Sequence, residues 1–207
     1  KFGSNKSINW KPEATGTGRF GNWLENLQDW NLSRSRFWGI PLPVWRTDDS
    51  SEEICIGSIE QLITELRKSV AAGLCKKEIL ENMEKGFEER KKLSSTEKAE
   101  KDYSFFDLHK PYIDDVVLVS KEGKPMTRES DLIDVWFDSG SMPYAQYHLP
   151  MDGELPTSSH SGTGLFPADF IAEGVDQTRG WFFTLHAIAA MNFNSVAYKT
   201  VVSNGLV

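Results

Sequence analysis

The chain has 207 residues, a net charge of −7 and 39% hydrophobic residues. That length and apolar content allow one or two packed domains, and the acidic balance excludes a global basic field for nucleic acid. No apolar run is long enough to span a membrane, and the opening residues do not have the composition of a secretory leader.

Charge is unevenly spread. Residues 1–45 carry six basic and three acidic side chains, residues 46–130 fifteen and nineteen, and residues 131–207 two and eight. The middle segment holds 34 of the 53 charges and reads as a surface-rich module inserted between two flanks. Cys55 and Cys75 have neither zinc nor redox spacing and read as free thiols. The sequence starts without methionine and stops in mid-pattern, so it reads as an internal piece of a longer chain.

Residues 1–17 are polar. Phe20, Trp23, Leu24, Leu27 and Trp30 then recur at helical spacing and predict one face of an amphipathic helix. Pro41 and Pro43 exclude a helix over the next stretch and predict an extended segment or sheet edge. Arg34 and Arg36, two apart in that segment, would point the same way. They suit a phosphate of RNA or of a nucleotide, or equally a solvated pair or a structural ion pair.

In the middle segment a short apolar run covers Ile54 to Ile56. Ser58 with Gln61 makes a capping box. Ile59, Leu62, Ile63, Leu66 and Val70 give a helix stripe that Gly73 is placed to stop. Ile79, Leu80, Met83 and Phe87 give a second stripe, weakened by Gly86. Lys91 to Asp102 reads as a charged link. Val116 to Val119 reads as a strand, and Lys121-Glu122-Gly123-Lys124 as a turn that closes a hairpin. No catalytic constellation is visible in residues 46–130.

Residues 131–141 partly alternate apolar and polar residues before Ser-Gly-Ser, which predicts a strand leading into a loop. Asp134 and Asp138 would then lie on one side of that strand. A metal or acid/base pair would need a further ligand that the stretch lacks. Residues 142–167 read as a long loop, with His148 and His160 outside any ligand spacing.

The most informative stretch is 170–181. An apolar run ends in Glu173 and Gly174, a polar step passes through Asp176 and Gln177, and an apolar helix follows to about Met191. A second strand spans Tyr198 to Ser203. This predicts an α/β fold built on a parallel βαβ unit. Ligands of open α/β sheets sit where strands end and helices begin. Glu173, Asp176, Gln177, Arg179 and Trp181 can accept, donate, carry charge and stack, which suits a ligand with hydroxyls, an amine and a ring. Read structurally, the same stretch is a strand-to-helix turn capped by Asp176. His186 reads as a core histidine.

Three stretches together resemble one family. Gly18-Arg19-Phe20-Gly21-Asn22-Trp23-Leu24 through Ser33-Arg34-Ser35-Arg36-Phe37-Trp38-Gly39-Ile40-Pro41-Leu42-Pro43 looks like the segment after the editing insertion of large class I aminoacyl-tRNA synthetases. Asp134-Val135-Trp136-Phe137-Asp138-Ser139-Gly140-Ser141 looks like the next block of that catalytic domain. Glu173-Gly174-Val175-Asp176-Gln177-Thr178-Arg179-Gly180-Trp181-Phe182 is similar to the isoleucine-specific form of the block after that. The valine form is more apolar there, which disfavours a piece of the valine enzyme.

The resemblance implies a partial Rossmann-like catalytic domain, its second half a parallel βαβ, with a helical and hairpin connective insertion. The implied divisions are 1–45, 46–130 and 131–207. It also implies isoleucine, ATP with Mg2+ and tRNA(Ile) as substrates of a cytoplasmic, monomeric parent enzyme. Glu173, Gly174, Asp176 and Gln177 would bind the aminoacyl-adenylate, Trp136 and Trp181 would wall the isoleucine side chain, and Arg34 and Arg36 would contact tRNA. No metal site is implied in these residues. The family's His-Ile-Gly-His and Lys-Met-Ser-Lys-Ser signatures occur nowhere in the sequence, so no complete catalytic set is expected. The competing reading is a non-catalytic RNA- or protein-binding module that uses the basic first segment.

Overall fold

A computed structural model describes residues 2–92, 107–147 and 166–205. After a 3-10 turn (Phe2–Ser7) the elements run β1 (Asn9–Lys11), a π-helical turn (Thr15–Phe20), α1 (Gly21–Glu25), β2 (Ser33–Arg34), β3 (Val44–Thr47) and β4 (Glu53–Cys55). Then come α2 (Ile59–Ala71), α3 (Lys77–Lys91), a 3-10 turn (Tyr112–Asp115), β5 (Leu118–Val119), β6 (Pro125–Arg128) and β7 (Leu132–Ile133). The last described elements are α4 (Val135–Gly140), α5 (Met142–Ala145), β8 (Ala168–Gly174), a 3-10 turn (Val175–Arg179), α6 (Trp181–Phe193) and β9 (Tyr198–Asn204). Two compact units result, one of Lys1–Leu32 with Asp134–Val207 and the other of Ser33–Ile133.

The first unit is built on a parallel sheet of order β1-β9-β8. Its middle strand, β9, has Tyr198 and Val201 fully buried. Helix α6 joins β8 to β9, as the parallel βαβ reading requires. It is apolar nearly all round, and a helix of that kind must be covered on every side. Phe182, Leu185, His186, Ala187, Ile188 and Ala189 are all buried. The Tyr198 hydroxyl donates to the carbonyl of Phe182 at 2.8 Å, tying helix to sheet. Gly140 of α4 makes the close approach on another side. A Cβ there would stand 2.9 Å from Ile188 and 3.0 Å from the backbone of Thr184.

Three expectations in this unit change. Strand β1 was hidden in a polar stretch, because only Ile8 and the buried Trp10 mark it. The predicted helix through Trp30 stops at Glu25. Asn26 leaves helical geometry there, and its side-chain amide donates to the Asn22 carbonyl, the local competition that makes asparagine a poor helix continuer. Leu27 and Trp30 still pack on the same core. Finally, the strand expected over 131–141 is two residues of β7 followed by α4. The carboxylate of Asp134 accepts from the backbone N–H of Trp136 at 3.1 Å and so starts a helix where alternation suggested a strand.

The second unit holds a four-stranded antiparallel sheet of order β4-β3-β6-β5, with the β5–β6 hairpin turning at Gly123. The Ser58 hydroxyl accepts from Gln61 N–H at 3.1 Å, and the Gln61 side chain accepts from Gly57 N–H at 2.7 Å. At the other end of α2, Gly73 at φ +74 lets its own N–H reach Val70 and that of Leu74 reach Ser69, the two bonds of a Schellman stop. Trp45, Leu62, Leu66, Met83, Val116, Leu118 and Met126 form its core. The unit begins at Ser33, ahead of the 45/46 division expected from charge, for two reasons. Ser33–Arg34 pairs with Leu132–Ile133, and Val44–Thr47 is an inner strand of the sheet. The link expected at Lys91 to Asp102 lies mainly outside the described residues, as do His148, His160 and most of the 142–167 loop.

His186 is fully buried beside Phe20, with ring centroids 5.6 Å apart. Burial lowers its pKa from 6.5 to about 4. The unfolded chain therefore binds a proton that the folded chain refuses between those values. The stability this difference represents is complete above pH 6.5 and is lost as pH falls towards 4, about 3 kcal/mol in all. Urea unfolding followed across that window should show the loss, and His186→Leu should flatten that part of the profile.

Candidate functional site

The end of β8 and the start of α6 are joined through a compact turn whose polar groups are mostly spoken for. Glu173 is exposed at the C-terminal end of β8, in register with Ser203. The side chain of Asp176 folds back over Gly174, with one oxygen 2.5 Å from where a Cβ on Gly174 would stand. Any side chain at 174 would therefore displace it. The other Asp176 oxygen accepts from the Gln177 side-chain amide at 2.9 Å. The Gln177 side-chain oxygen, Oε1, accepts from the backbone N–H of Trp181 at 2.9 Å. The capping role that the sequence suggested for Asp176 thus falls to Gln177, and Asp176 orients it.

Thr178, fully buried, fixes the turn from below. Its hydroxyl donates to the Val175 carbonyl at 2.8 Å and accepts from Arg19 Nε at 3.0 Å. Arg179 lies over the ring of Trp23, 5.2 Å from its centroid. Arg19 and Trp23 come from the segment before β2, so the first and third resembling blocks meet here.

The second block meets the third at Gly180. A Cβ on Gly180 would stand 2.7 Å from the Gln177 side-chain oxygen and 3.3 Å from the ring of Trp136. Trp181 donates its indole N–H to the Ser139 carbonyl at 3.1 Å, crossing from α6 to α4. Trp136 remains 41% exposed, so part of its ring is open for contact. Beneath it, Asp134 is buried and accepts from the Trp30 indole N–H at 2.9 Å. Asp138, one helical turn on, has its carboxyl pKa raised by burial first and by the Asp134 carboxylate second.

The six expected adenylate residues, Glu173, Gly174, Asp176, Gln177, Trp181 and Trp136, all belong to this one unit. Arg34 and Arg36 belong to the other. They do not share one face of a strand, because β2 ends at Arg34 and the Arg36 N–H turns back onto the Arg34 carbonyl at 3.0 Å. Arg36 is exposed, whereas Arg34 is half-buried and donates to the Ser33 carbonyl. Sequence reasoning missed Gly180, Ser139 and Arg19 as site builders. Of these only Gly180, a glycine directly before an apolar helix, left a readable signal. Among the described residues no three His, Cys, Asp or Glu side chains gather as a metal set. No helix among them is long and apolar enough to cross a membrane.

The family model for class I tRNA synthetases (I, L, M and V) matches residues 2–207. The chain belongs to the class I tRNA synthetases. It is 63% identical over 203 residues to an isoleucine–tRNA ligase of Bacteroides fragilis, covering 98% of this chain and 17% of that protein. The isoleucine–tRNA ligase of Porphyromonas gingivalis is 57% identical over 204 residues, covering 99% and 17%. That of Treponema denticola is 40% identical over 205 residues, covering 99% and 15%. The chain thus spans about a sixth of the length of the synthetases it matches. Each of the three blocks read from sequence lies inside the matched region.

Removing the Gln177 cap isolates its structural share. Gln177→Ala should cost about 1 kcal/mol in urea unfolding, the usual worth of a lost helix cap, and should speed amide exchange at Trp181.

Proposed function

We propose that this chain is part of an isoleucine–tRNA ligase, which activates isoleucine with ATP and passes the aminoacyl group to tRNA(Ile). The observation that carries this reading is the single wall formed by the Glu173–Trp181 turn and Trp136. It lies in a chain 63% identical to a protein of that name. In this reading Glu173 accepts from the ribose diol or the ammonium of isoleucyl-adenylate, for which an exposed carboxylate at a strand end is suited. Gly174, with Asp176 folded over it, offers backbone groups, and Gln177 its side-chain amide, to the polar part of the adenylate. Trp136 and Trp181 give rigid apolar area to the isoleucine side chain. Mg2+ would arrive with ATP.

Catalysis of this kind rests on positioning and charge stabilisation, so no nucleophilic side chain is called for. Apolar walls alone discriminate weakly. Isoleucine against valine is itself the standard example, a missing methylene being worth only about 1–3 kcal/mol. The 207 residues contain neither signature that handles ATP phosphates. Expressed alone, the chain is therefore expected to support no isoleucine-dependent ATP–pyrophosphate exchange.

In the full-length ligase, Glu173→Ala and Trp181→Ala should each lower isoleucine-dependent exchange at least tenfold while tRNA affinity stays within about twofold. Variants that keep wild-type exchange and lose only tRNA binding would instead support an RNA-binding module. For Arg34 and Arg36 the reading is contact with the acceptor end of tRNA. Replacing both with alanine should flatten the salt dependence of tRNA binding, by a log–log slope of about 1 to 2.

A further inference from the structure

The apolar wall is held through one carboxylate that none of the roles above uses. Asp134 is 3% exposed, and both its oxygens are engaged. Oδ1 accepts from the backbone N–H of Trp136 at 3.1 Å and Oδ2 from the indole N–H of Trp30 at 2.9 Å. Its own N–H donates to the Leu32 carbonyl at 2.8 Å, and its carbonyl accepts from Phe137 N–H at 2.8 Å. The carboxylate therefore sets where α4 begins and how it is turned about its axis.

Two wall contacts depend on that setting. Trp136 stands in the first turn of α4, directly on the cap. Ser139 stands one turn later, and its carbonyl receives the Trp181 indole N–H at 3.1 Å. Gly140 then leaves α4 no room to shift against α6, with Ile188 and Thr184 at 2.9 and 3.0 Å from its missing Cβ. Trp30 has left helical geometry and packs against Phe137 and Phe183, with ring centroids 6.5 and 6.0 Å away. It is an anchored ring, and its N–H reaches the carboxylate oxygen that the Trp136 backbone does not use.

We infer that Asp134, bridged to Trp30, is a specificity-determining positioning residue: it fixes the spacing of Trp136 and Trp181, and with it the fit of the amino-acid side chain between them. This deepens the proposed function and rests on it, because the two tryptophans are taken as the amino-acid wall. A pair of aromatic rings distinguishes a branched side chain from one methylene less only if the gap between them is constant. A gap that breathes accepts the smaller chain equally well. The bridge supplies that constancy because an N–H donated to a buried carboxylate is among the stronger hydrogen bonds available to a side chain.

The test uses the full-length ligase and two substitutions that spare the helix start. Asp134→Ser keeps a good N-cap for Trp136 but cannot reach Trp30. Trp30→Phe keeps an aromatic ring against Phe137 and Phe183 and loses the N–H together with part of the indole's area. Each should raise the KM for isoleucine about 3- to 10-fold in ATP–pyrophosphate exchange, with a smaller effect on valine. The ratio of kcat/KM for isoleucine over valine should then fall several-fold. The double variant should be no worse than either single, since both remove one interaction. A loss of kcat/KM that is equal for the two amino acids would make the bridge merely structural and overturn the inference. So would single effects that multiply in the double variant. If Asp134→Ser does not fold, Trp30→Phe alone decides through the same ratio. A wild-type enzyme without isoleucine-dependent exchange would instead overturn the proposed function, which separates the two failures.

Discussion

Over Phe182–Ala189, α6 has almost no polar face and has to be covered on every side, and it dictates the arrangement of its unit for that reason. Tyr198, Val201 and Trp10 cover it from the sheet side, with Tyr198 also hydrogen-bonded to its backbone. Phe20 and Trp23 meet it through His186 and Phe183. Helix α4 covers a further side, where Gly140 removes the side chain that would have held it away. Once α6 is enclosed in this way, the turn that feeds it has little freedom. The chain must leave β8 at Gly174 and enter the helix at Trp181 within a single 3-10 turn.

That confinement gives the candidate site its character. Its polar atoms bond mainly to one another and to the backbone, in a chain from Asp176 to Gln177 to Trp181 and from Arg19 to Thr178 to Val175. Gly174 and Gly180 leave space that the Asp176, Gln177 and Trp136 side chains occupy. Glu173 stays outside this network as an exposed carboxylate at the strand end. A wall of this kind is preorganised rather than reactive.

The two units draw on different physics. The Ser33–Ile133 unit is a sheet-and-helix module with its own core and with local stop and start signals at both ends of α2. Arg128, buried within it, pairs with Asp114 at 2.6 Å and reaches the carbonyls of Leu42 and Asp131, so a single guanidinium gathers three chain segments. The other unit has fewer local signals and more long-range ones, because its parallel strands come from segments far apart in sequence.

What was legible in the amino-acid sequence was whatever is encoded locally. The Ser58–Gln61 cap, the Gly73 stop, the hairpin at Gly123, the buried helix carrying His186 and the strand–turn–helix at 170–181 each depend on neighbours within a few residues. The family resemblance rested on three contiguous blocks in fixed order, and the family match covers all three. What only tertiary structure decided was everything set by partners distant along the chain. Trp10 is a strand residue because β9 pairs with it, and Ser33 joins the middle unit because β7 pairs with it. Asp134 starts a helix where alternation suggested a strand, and its second oxygen is taken by Trp30, 104 residues away. The Trp136–Gly180–Trp181 wall needs α4 and α6 in contact. Periodicity reports which face of an element is apolar, but it carries no information about which element will cover that face.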